Sequence, residues 1–146
     1  MSDKMVDRSA IAKKNREQAK KAKDDIQMMF ESHGYEILKV KKVDHERHTF
    51  LLKKDGKETP VEVYSFQSSI VSSPLLHNKQ RLQELIDEQG LVVAVDITKM
   101  ENCVIPAKEL QGAYDRWHEP KHPIRVPAKV LNESSSLSEY FQKLNN

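Results

Sequence analysis

Glu62 lies within an apolar run, residues 60–64, whose sequence Pro-Val-Glu-Val-Tyr is typical of a core β-strand. An isolated buried charge is very costly, so this carboxylate must be paired, solvated at the end of the strand, or bound to a metal ion. Strand alternation offers a simpler interpretation, in which Val61 and Val63 face the core and Glu62 faces outward. Glu62 is therefore the first candidate for a functional residue, with these alternatives open.

Basic side chains are the second group that could bind a ligand. The formal net charge of +2 and the isoelectric point of about 8.6 are too mild to identify a nucleic-acid partner. The distribution of charge is more informative, because lysines crowd the first predicted helix and the first predicted strands. A solvated charged face is the alternative interpretation. The candidates for contact with nucleic acid, with DNA as the expected partner, are Lys13, Lys14, Lys20, Lys41 and Lys42.

Other reactive groups occur in weaker patterns. Cys103 is the only cysteine, so it cannot form an internal disulfide, and its sequence neighbours give no signal of thiol activation. His118 and His122 have the spacing of a helical metal pair, but Pro120 between them disfavours a helix. The four glycines are too widely spaced to form a phosphate-binding loop. A thiol enzyme, a helical zinc site and a nucleotide-binding loop are therefore disfavoured.

Length and composition limit the fold and the location. The chain has 146 residues, of which 38% are hydrophobic and 32% charged, and this fits a single domain over residues 1–146. No apolar run approaches the roughly 18 residues needed to cross a bilayer. The polar N-terminus also lacks the apolar segment of a signal peptide. We therefore expect no membrane partner and a location in the reducing cytoplasm.

The first half of the chain predicts a helix followed by a three-stranded meander. Apolar residues recur at three- and four-residue intervals from Ala19 to Phe30, which predicts a helix capped by Ser9 and ended by Gly34. An Asp-Gly pair at residues 55–56 predicts a hairpin turn between the last two strands. The strands are predicted at residues 35–43, 48–53 and 60–66.

The second half predicts another helix and a buried strand. After a serine-rich loop at residues 65–74, helical spacing covers residues 75–88, and Gly90 ends that helix. Residues 91–97 are almost all apolar, which predicts a central strand covered on both faces. The tail aromatics pack in the core or, alternatively, on a second copy in a homodimer. The remaining predicted elements are a strand at residues 102–105, a short helix at 106–110, a strand at 124–126 and a final helix at 137–144.

The order helix, three-strand meander, helix, strand, strand over residues 13–111 resembles the PD-(D/E)XK nuclease superfamily, which includes archaeal Holliday junction resolvases. Residues 24–35 look like the first helix of that family, and residues 50–57 look like its second strand and turn. Residues 61–64 resemble its catalytic strand. Residues 78–81, 91–95 and 104–106 are similar to its later half. The resemblance implies an α/β, restriction-endonuclease-like fold with a mixed central sheet flanked by helices. Its αβββαβ core would be followed by a C-terminal strand-helix extension at residues 112–146.

The chemistry of that family implies roles for the matching residues. Its members hold Mg²⁺ with two carboxylates, the metal activates water, and a lysine orients the nucleophile. By this resemblance, Glu62 would be the metal ligand and Asp25 the accessory acid of the first helix. Gln80 would face the site from the second helix, and Lys79 would deliver a migrated ammonium. Alternatively, Asp25 pairs with Lys21 one helical turn away, and Lys79 and Gln80 face solvent.

Two positions depart from the family pattern. Thr49 stands where the resemblance expects an aspartate, and Tyr64 stands where it expects the lysine. A hydroxyl is a poorer magnesium ligand than a carboxylate, and a phenol with an ordinary pKa near 10 is neither a cation nor a base at neutral pH. Asp44 or Glu46 could supply the missing acid if the second strand contains a bulge.

Three hypotheses of function follow from these patterns. The first is a nucleic-acid-binding protein of this fold whose nuclease activity is weakened or lost. The second is an active, magnesium-dependent DNA endonuclease or junction resolvase with a rearranged site. The third is a protein-interaction regulator on the same fold. The missing acid and lysine favour the first hypothesis.

Overall fold

The first element is a long helix, α1 (Ser2–Ser32), in a computed structural model that describes residues 2–38 and 49–145. This helix begins before Ser9, so the predicted cap is wrong. The residues that precede Ser9 are mostly polar and charged and have no apolar period. Periodicity therefore gave no signal for a helix in that stretch.

The end of α1 is confirmed near Gly34. Gly34 has a φ of +89° and its amide donates to the carbonyl of Glu31 at 3.0 Å, while the amide of Tyr35 donates to the carbonyl of Phe30 at 3.1 Å. This pair of bonds is the Schellman motif, which satisfies the last free carbonyls of a helix. The rings of Tyr35 and Phe30 then pack edge to face, with centroids 5.3 Å apart.

Three antiparallel strands follow α1, namely β1 (Glu36–Leu38), β2 (Thr49–Lys54) and β3 (Lys57–Phe66). The predicted hairpin between β2 and β3 is confirmed, with φ values of +54° at Asp55 and +79° at Gly56. Two successive positive φ angles are typical of the type I′ turn, whose twist matches that of the strands. The rest of the predicted first strand, at residues 39–43, lies outside the described residues.

A crossover then places a parallel strand beside β3. The chain passes through β4 (Leu75–Leu76) and α2 (Lys79–Asp87) to β5 (Leu91–Asp96), which pairs with β3 in parallel. The next strand, β6 (Glu101–Pro106), pairs with β5 in antiparallel orientation. The order across the sheet is β1-β2-β3-β5-β6. All of β5 is buried, which confirms the prediction of a central strand covered on both faces.

Side-chain alternation divides the core into two clusters, one on each face of the sheet. On the α1 face, Ile26 and Phe30 pack against Val61 and Val63 of β3. On the opposite α2 face, buried residues of α2, including Leu85, pack against the other side of β5 and β6. Neighbouring residues of β3 therefore point into different layers.

The C-terminal part closes both faces. The predicted helix at residues 75–88 begins later than expected, because Leu75 and Leu76 form β4 and pair with a short strand, β7 (Ile124–Arg125). Phe141 is buried on the α1 face, with its ring centroid 5.2 Å from that of Phe30, so core packing of the final helix is confirmed. The remaining elements are a 3₁₀ turn (Ala107–Leu110), α3 (Gln111–Asp115), β7 (Ile124–Arg125), α4 (Ala128–Glu133) and α5 (Leu137–Asn145).

The architecture is thus α/β, with a five-stranded mixed sheet flanked by helices. Pattern analysis missed α3 and α4, which have only five and six residues and therefore too few turns to show a period. Among residues 2–38 and 49–145, no helix combines the length and the apolar character needed to cross a membrane.

Candidate functional site

Glu62 lies on the α2 face of β3, where the helix α2 covers it. Its side chain is 14% exposed and forms an ion pair with Arg81, whose Nε donates to Oε2 at 3.1 Å. The phenolic hydroxyl of Tyr64 donates to the other carboxylate oxygen, Oε1. Both oxygens of this half-buried acid therefore have donors. Of the three alternatives for a buried acid, pairing is the one found.

The position of the first turn of α2 brings Arg81 close to Glu62. Asn78 caps the helix, since its Oδ1 accepts the amide of Arg81 at 3.0 Å. Arg81 lies one helical turn before Leu85, which is buried against the sheet, so both side chains point toward β3 and β5. Arg81 Nη1 also bonds Glu84 at 3.1 Å. Sequence analysis missed Arg81, although its spacing from Leu85 was a usable signal.

Tyr64 occupies the position where the family resemblance expects a lysine. Burial raises the pKa of its phenol well above the ordinary value of 10, and the charge of Glu62 and the hydrogen bond to it raise it further. The charge of the nearby Arg81 lowers the pKa, but it offsets only part of this rise. The phenol thus stays protonated at neutral pH and serves as a hydrogen-bond donor to Glu62.

Asp25 lies on α1, away from Glu62. Its side chain is exposed, and the neighbouring Ile26 packs on the α1 face of the sheet, whereas Glu62 points to the α2 face. Asp25 lines a cavity of about 270 Å³ between α1 and the end of β5, together with Lys21 and Met100. The structure therefore does not bring Asp25 and Glu62 together.

Neither of the two candidates at the start of α2 bonds Glu62, whose partners are Arg81 and Tyr64. Gln80 is exposed. The Nζ atom of Lys79 lies 4.7 Å from the centre of the Tyr114 ring, in a cation–π contact. The charged side chain of α2 that contacts Glu62 is thus Arg81, which directly follows Lys79 and Gln80 in the sequence.

The described residues do not form a donor set that fits Mg²⁺. This ion prefers several oxygen ligands in octahedral geometry. Thr49 is the β2 residue in register with Glu62, and both Glu62 and the adjacent Glu84 bond Arg81. Within residues 2–38 and 49–145, no group of three His, Cys, Asp or Glu side chains could hold a metal. The alternative acids Asp44 and Glu46 lie outside the described residues.

A second acid, missed by sequence analysis, is buried at the carboxyl ends of β3 and β5. Asp96 is 7% exposed, and its Oδ1 accepts the amides of Ser68 at 3.1 Å and Thr98 at 3.0 Å. Burial favours a raised pKa, but the hydrogen bonds from Ser68, Thr98 and Lys99 outweigh it and lower the pKa of Asp96. This carboxylate joins the loop after β3 to the turn after β5.

Asp96 and Cys103 line a groove of about 640 Å³ beside that turn, together with serine and asparagine side chains. Burial raises the pKa of the Cys103 thiol to about 11, so little thiolate exists at neutral pH. A nucleophilic role for Cys103 is therefore not supported.

The basic candidates divide between described and undescribed parts of the chain. Lys13, Lys14 and Lys20 are exposed on α1. Lys41 and Lys42 lie outside the described residues. The three described lysines belong to the part of α1 that precedes its buried residues Ile26 and Phe30.

A scan against protein-family models and a search of curated proteins matched this chain to nothing. Function is therefore inferred from the contacts of Glu62 and from the distribution of exposed charge.

Proposed function

We propose that this chain is a nucleic-acid-binding protein of restriction-endonuclease-like fold that has lost the capacity to cleave. The observation that supports this proposal best is the double engagement of Glu62. One oxygen accepts from Arg81 and the other from Tyr64. A carboxylate held in this way is neutralised and has no free oxygen to offer Mg²⁺ without breaking an ion pair.

The order of elements supports the fold in this proposal. A helix, three antiparallel strands, a crossover helix and a parallel strand follow one another as the αβββαβ core requires. The strand at the catalytic position of the family is β3, and its neighbour β5 is parallel to it. Glu62 lies on β3 at the position that the resemblance assigns to a metal ligand.

The exposed cations of α1 support a nucleic-acid partner. Lys13, Lys14 and Lys20 project from a stretch of helix in which every described side chain from Lys13 to Glu17 is exposed. Lysines that neutralise phosphates release counterions, which gives affinity without sequence readout. A protein of this kind would bind nucleic acid through charge while Glu62 stabilises the fold.

Cleavage and binding assays with the full chain test this proposal. Duplex, branched and single-stranded DNA are incubated with the protein in Mg²⁺ and in Mn²⁺, and the products are separated on denaturing gels. We expect binding that weakens with salt, and no cleavage with either metal. Cleavage that Glu62→Ala abolishes would instead establish the active nuclease with a rearranged site.

Binding to nucleic acid is judged separately from cleavage. The variant Lys13→Glu/Lys14→Glu/Lys20→Glu should bind more weakly than wild type and with a shallower salt dependence. If wild type binds no form of DNA or RNA at low salt, the nucleic-acid proposal fails and a protein partner becomes the better hypothesis.

A further inference from the structure

The exposed charges of α1 are arranged on one side of the helix. Lys13, Arg16 and Lys20 are separated by three and four residues, so they share a face and span about 10 Å along the helix axis. All three are exposed. Among the described residues, the ion pairs join Arg81 to Glu62 and Glu84, and none involves these three cations. We call Lys13, Arg16 and Lys20 the α1 cationic face.

This face lies in a different layer from Glu62. α1 covers the side of the sheet that carries Val61 and Val63, whereas Glu62 points to the α2 side. A ligand bound to the α1 cationic face therefore need not approach the family's catalytic strand. The α1 cationic face and Glu62 are therefore on opposite sides of the sheet.

The distribution of aromatic residues indicates which nucleic acid the face can bind. Proteins that hold single strands commonly stack bases on exposed aromatic rings. This chain has four Phe, four Tyr and one Trp. All of them lie within residues 2–38 and 49–145, and none is exposed. None of these rings belongs to the exposed residues, which favours contact with phosphates over stacking of bases on Phe, Tyr or Trp.

Resting on the proposed function, we infer that the α1 cationic face binds the phosphate backbone of double-stranded nucleic acid, independently of sequence. A duplex offers one negative charge for about every 1.7 Å of its axis, so a straight row of three cations meets a high density of phosphates. Sequence is read at base edges in the grooves, and a phosphate-only contact carries no such information. The three cations belong to one continuous helix, which sets the spacing between them.

One acid is positioned to weaken this contact. Glu17 is exposed and lies four residues after Lys13 and three before Lys20, beside the same face. Its charge opposes the approach of phosphate. The variant Glu17→Gln should therefore bind duplex about two- to fivefold more tightly than wild type at low salt, within the range of a single surface charge. An unchanged or lower affinity of Glu17→Gln would place the duplex elsewhere.

The decisive experiment compares duplex with single strand. Fluorescence anisotropy follows the binding of a labelled duplex of about 20 base pairs and of one of its strands, from about 50 to about 200 mM salt. We expect tighter binding of duplex, and a similar affinity for duplexes of unrelated sequence. For Lys13→Gln/Arg16→Gln/Lys20→Gln, the slope of log affinity against log salt should fall by about 0.9 for each cation removed.

A charge-matched control distinguishes the effect of the α1 cationic face from the effect of the net charge of the protein. Lys108, Lys121 and Lys129 are exposed and lie outside α1. Their triple Gln variant loses the same charge but should keep the wild-type slope, because charges beyond about 8 Å are screened at physiological salt. Equal slopes for the two triple variants would overturn the inference. Far-UV circular dichroism verifies that both remain folded, as expected since Gln is a good helix former.

The outcomes distinguish this inference from the proposal on which it rests. If single strand binds as tightly as duplex, the duplex inference fails while nucleic-acid binding stands. If neither binds, the proposed function itself fails. If polyglutamate binds to the protein as tightly as duplex does, the face recognises anions in general and the inference is overturned.

Discussion

At the scale of single residues, Glu62 shows how a largely buried carboxylate is stabilised between the sheet and α2. The side chains of Glu62 and Arg81 are 14% and 15% exposed, so the charges are partly desolvated and interact through a medium less polar than water. Removing Arg81 would leave the charge of Glu62 without this counterion in that layer, whereas removing Glu62 would leave Arg81 its bond to Glu84. The pair is therefore expected to stabilise the fold more than a surface ion pair does.

A double-mutant cycle measures this contribution. We expect Arg81→Met to lower the free energy of unfolding by about 2 kcal/mol, because Glu62 keeps only Tyr64 as a donor. Glu62→Gln in the Arg81→Met background should cost less than in wild type, with a coupling of about 1–2 kcal/mol. Urea unfolding followed by fluorescence gives these values.

Glu84 provides the matched control for that cycle. It bonds the same arginine at 3.1 Å, but its side chain is 49% exposed. Glu84→Gln should therefore change the free energy of unfolding by less than about 0.5 kcal/mol. A coupling near zero between Glu62 and Arg81 would contradict the structural role assigned to this pair.

The lowered pKa of Asp96 predicts how the stability of the fold depends on pH. Its pKa is lower in the folded chain than the ordinary value of 3.8, because hydrogen bonds from Ser68, Thr98 and Lys99 outweigh burial. The unfolded chain therefore binds the proton more readily. The stabilisation is present above about pH 4 and is lost as the pH falls through the folded pKa. Asp96→Asn should lower stability more at pH 7 than at pH 3.

The same urea experiment at the two pH values tests this prediction. The loss at pH 7 should be about 1–3 kcal/mol, the typical cost of weakening hydrogen bonds to a buried charged group. An equal loss at both pH values would mean that ionisation of Asp96 contributes nothing to the stability of the fold.

At the scale of elements, the end of α2 is correctly predicted at Gly90, but the physical reason for glycine at this position differs from the expected one. Gly90 is predicted to end this helix, a role that glycine usually fills in the left-handed conformation. That conformation belongs to Gln89, with a φ of +56°, and the amide of Gly90 donates to the carbonyl of Leu85 at 2.7 Å. Gly90 is needed for space instead: a Cβ there would lie 2.8 Å from the carbonyl oxygen of Pro60 and 2.9 Å from Leu85 Cδ2.

Gly90→Ala should therefore destabilise the fold by about 1–3 kcal/mol, the usual cost of overpacking a core. Gly112 is the matched control. A Cβ at Gly112 meets no atom closer than Arg116 Nη1 at 3.4 Å, and the residue lies within α3. Gly112→Ala should be neutral or stabilising by up to about 1 kcal/mol. Thermal unfolding of both variants tests the contrast, and equal stability of the two would contradict the close approach at Gly90.

Local signals explain why most elements could be predicted. The Asp55-Gly56 turn requires two positive φ angles, a demand that few residue pairs meet at low cost. The strand β5 is apolar throughout because both of its faces are covered. Leu75 was assigned to a helix because its spacing from Leu82 fits one. Leu75 is instead in a strand because it pairs with Arg125, which is distant in the sequence. Such a pairing produces no pattern in the residues near Leu75.

At the scale of the whole molecule, two core clusters share the central strands. Val93 belongs to the cluster on the α1 face, and its neighbour Val92 belongs to the cluster on the α2 face. Neither layer can lose its packing without exposing one side of β5. Loss of one cluster should therefore carry the other with it, and the chain should unfold cooperatively.

Trp117 allows this cooperativity to be measured. It is the single tryptophan, it is 1% exposed, and it lies in the cluster on the α2 face. Its fluorescence should follow the same urea transition as far-UV circular dichroism, which also reports α1 on the other face. Separate midpoints for the two signals would show that the two layers unfold independently.

The sequence by itself determined the order of α1, the three-stranded meander, α2, β5 and β6, together with the hairpin turn, the buried central strand and the crowding of cations near the N-terminus. These features depend on local conformation, on the period of apolar residues and on composition, all of which are written along the chain. Only the tertiary structure decided which layer each side chain of β3 faces and that Arg81, rather than Asp25, Lys79 or Gln80, meets Glu62. Contacts between residues distant in sequence depend on how helices are placed on the sheet, and that placement is fixed by the packing of the complete core.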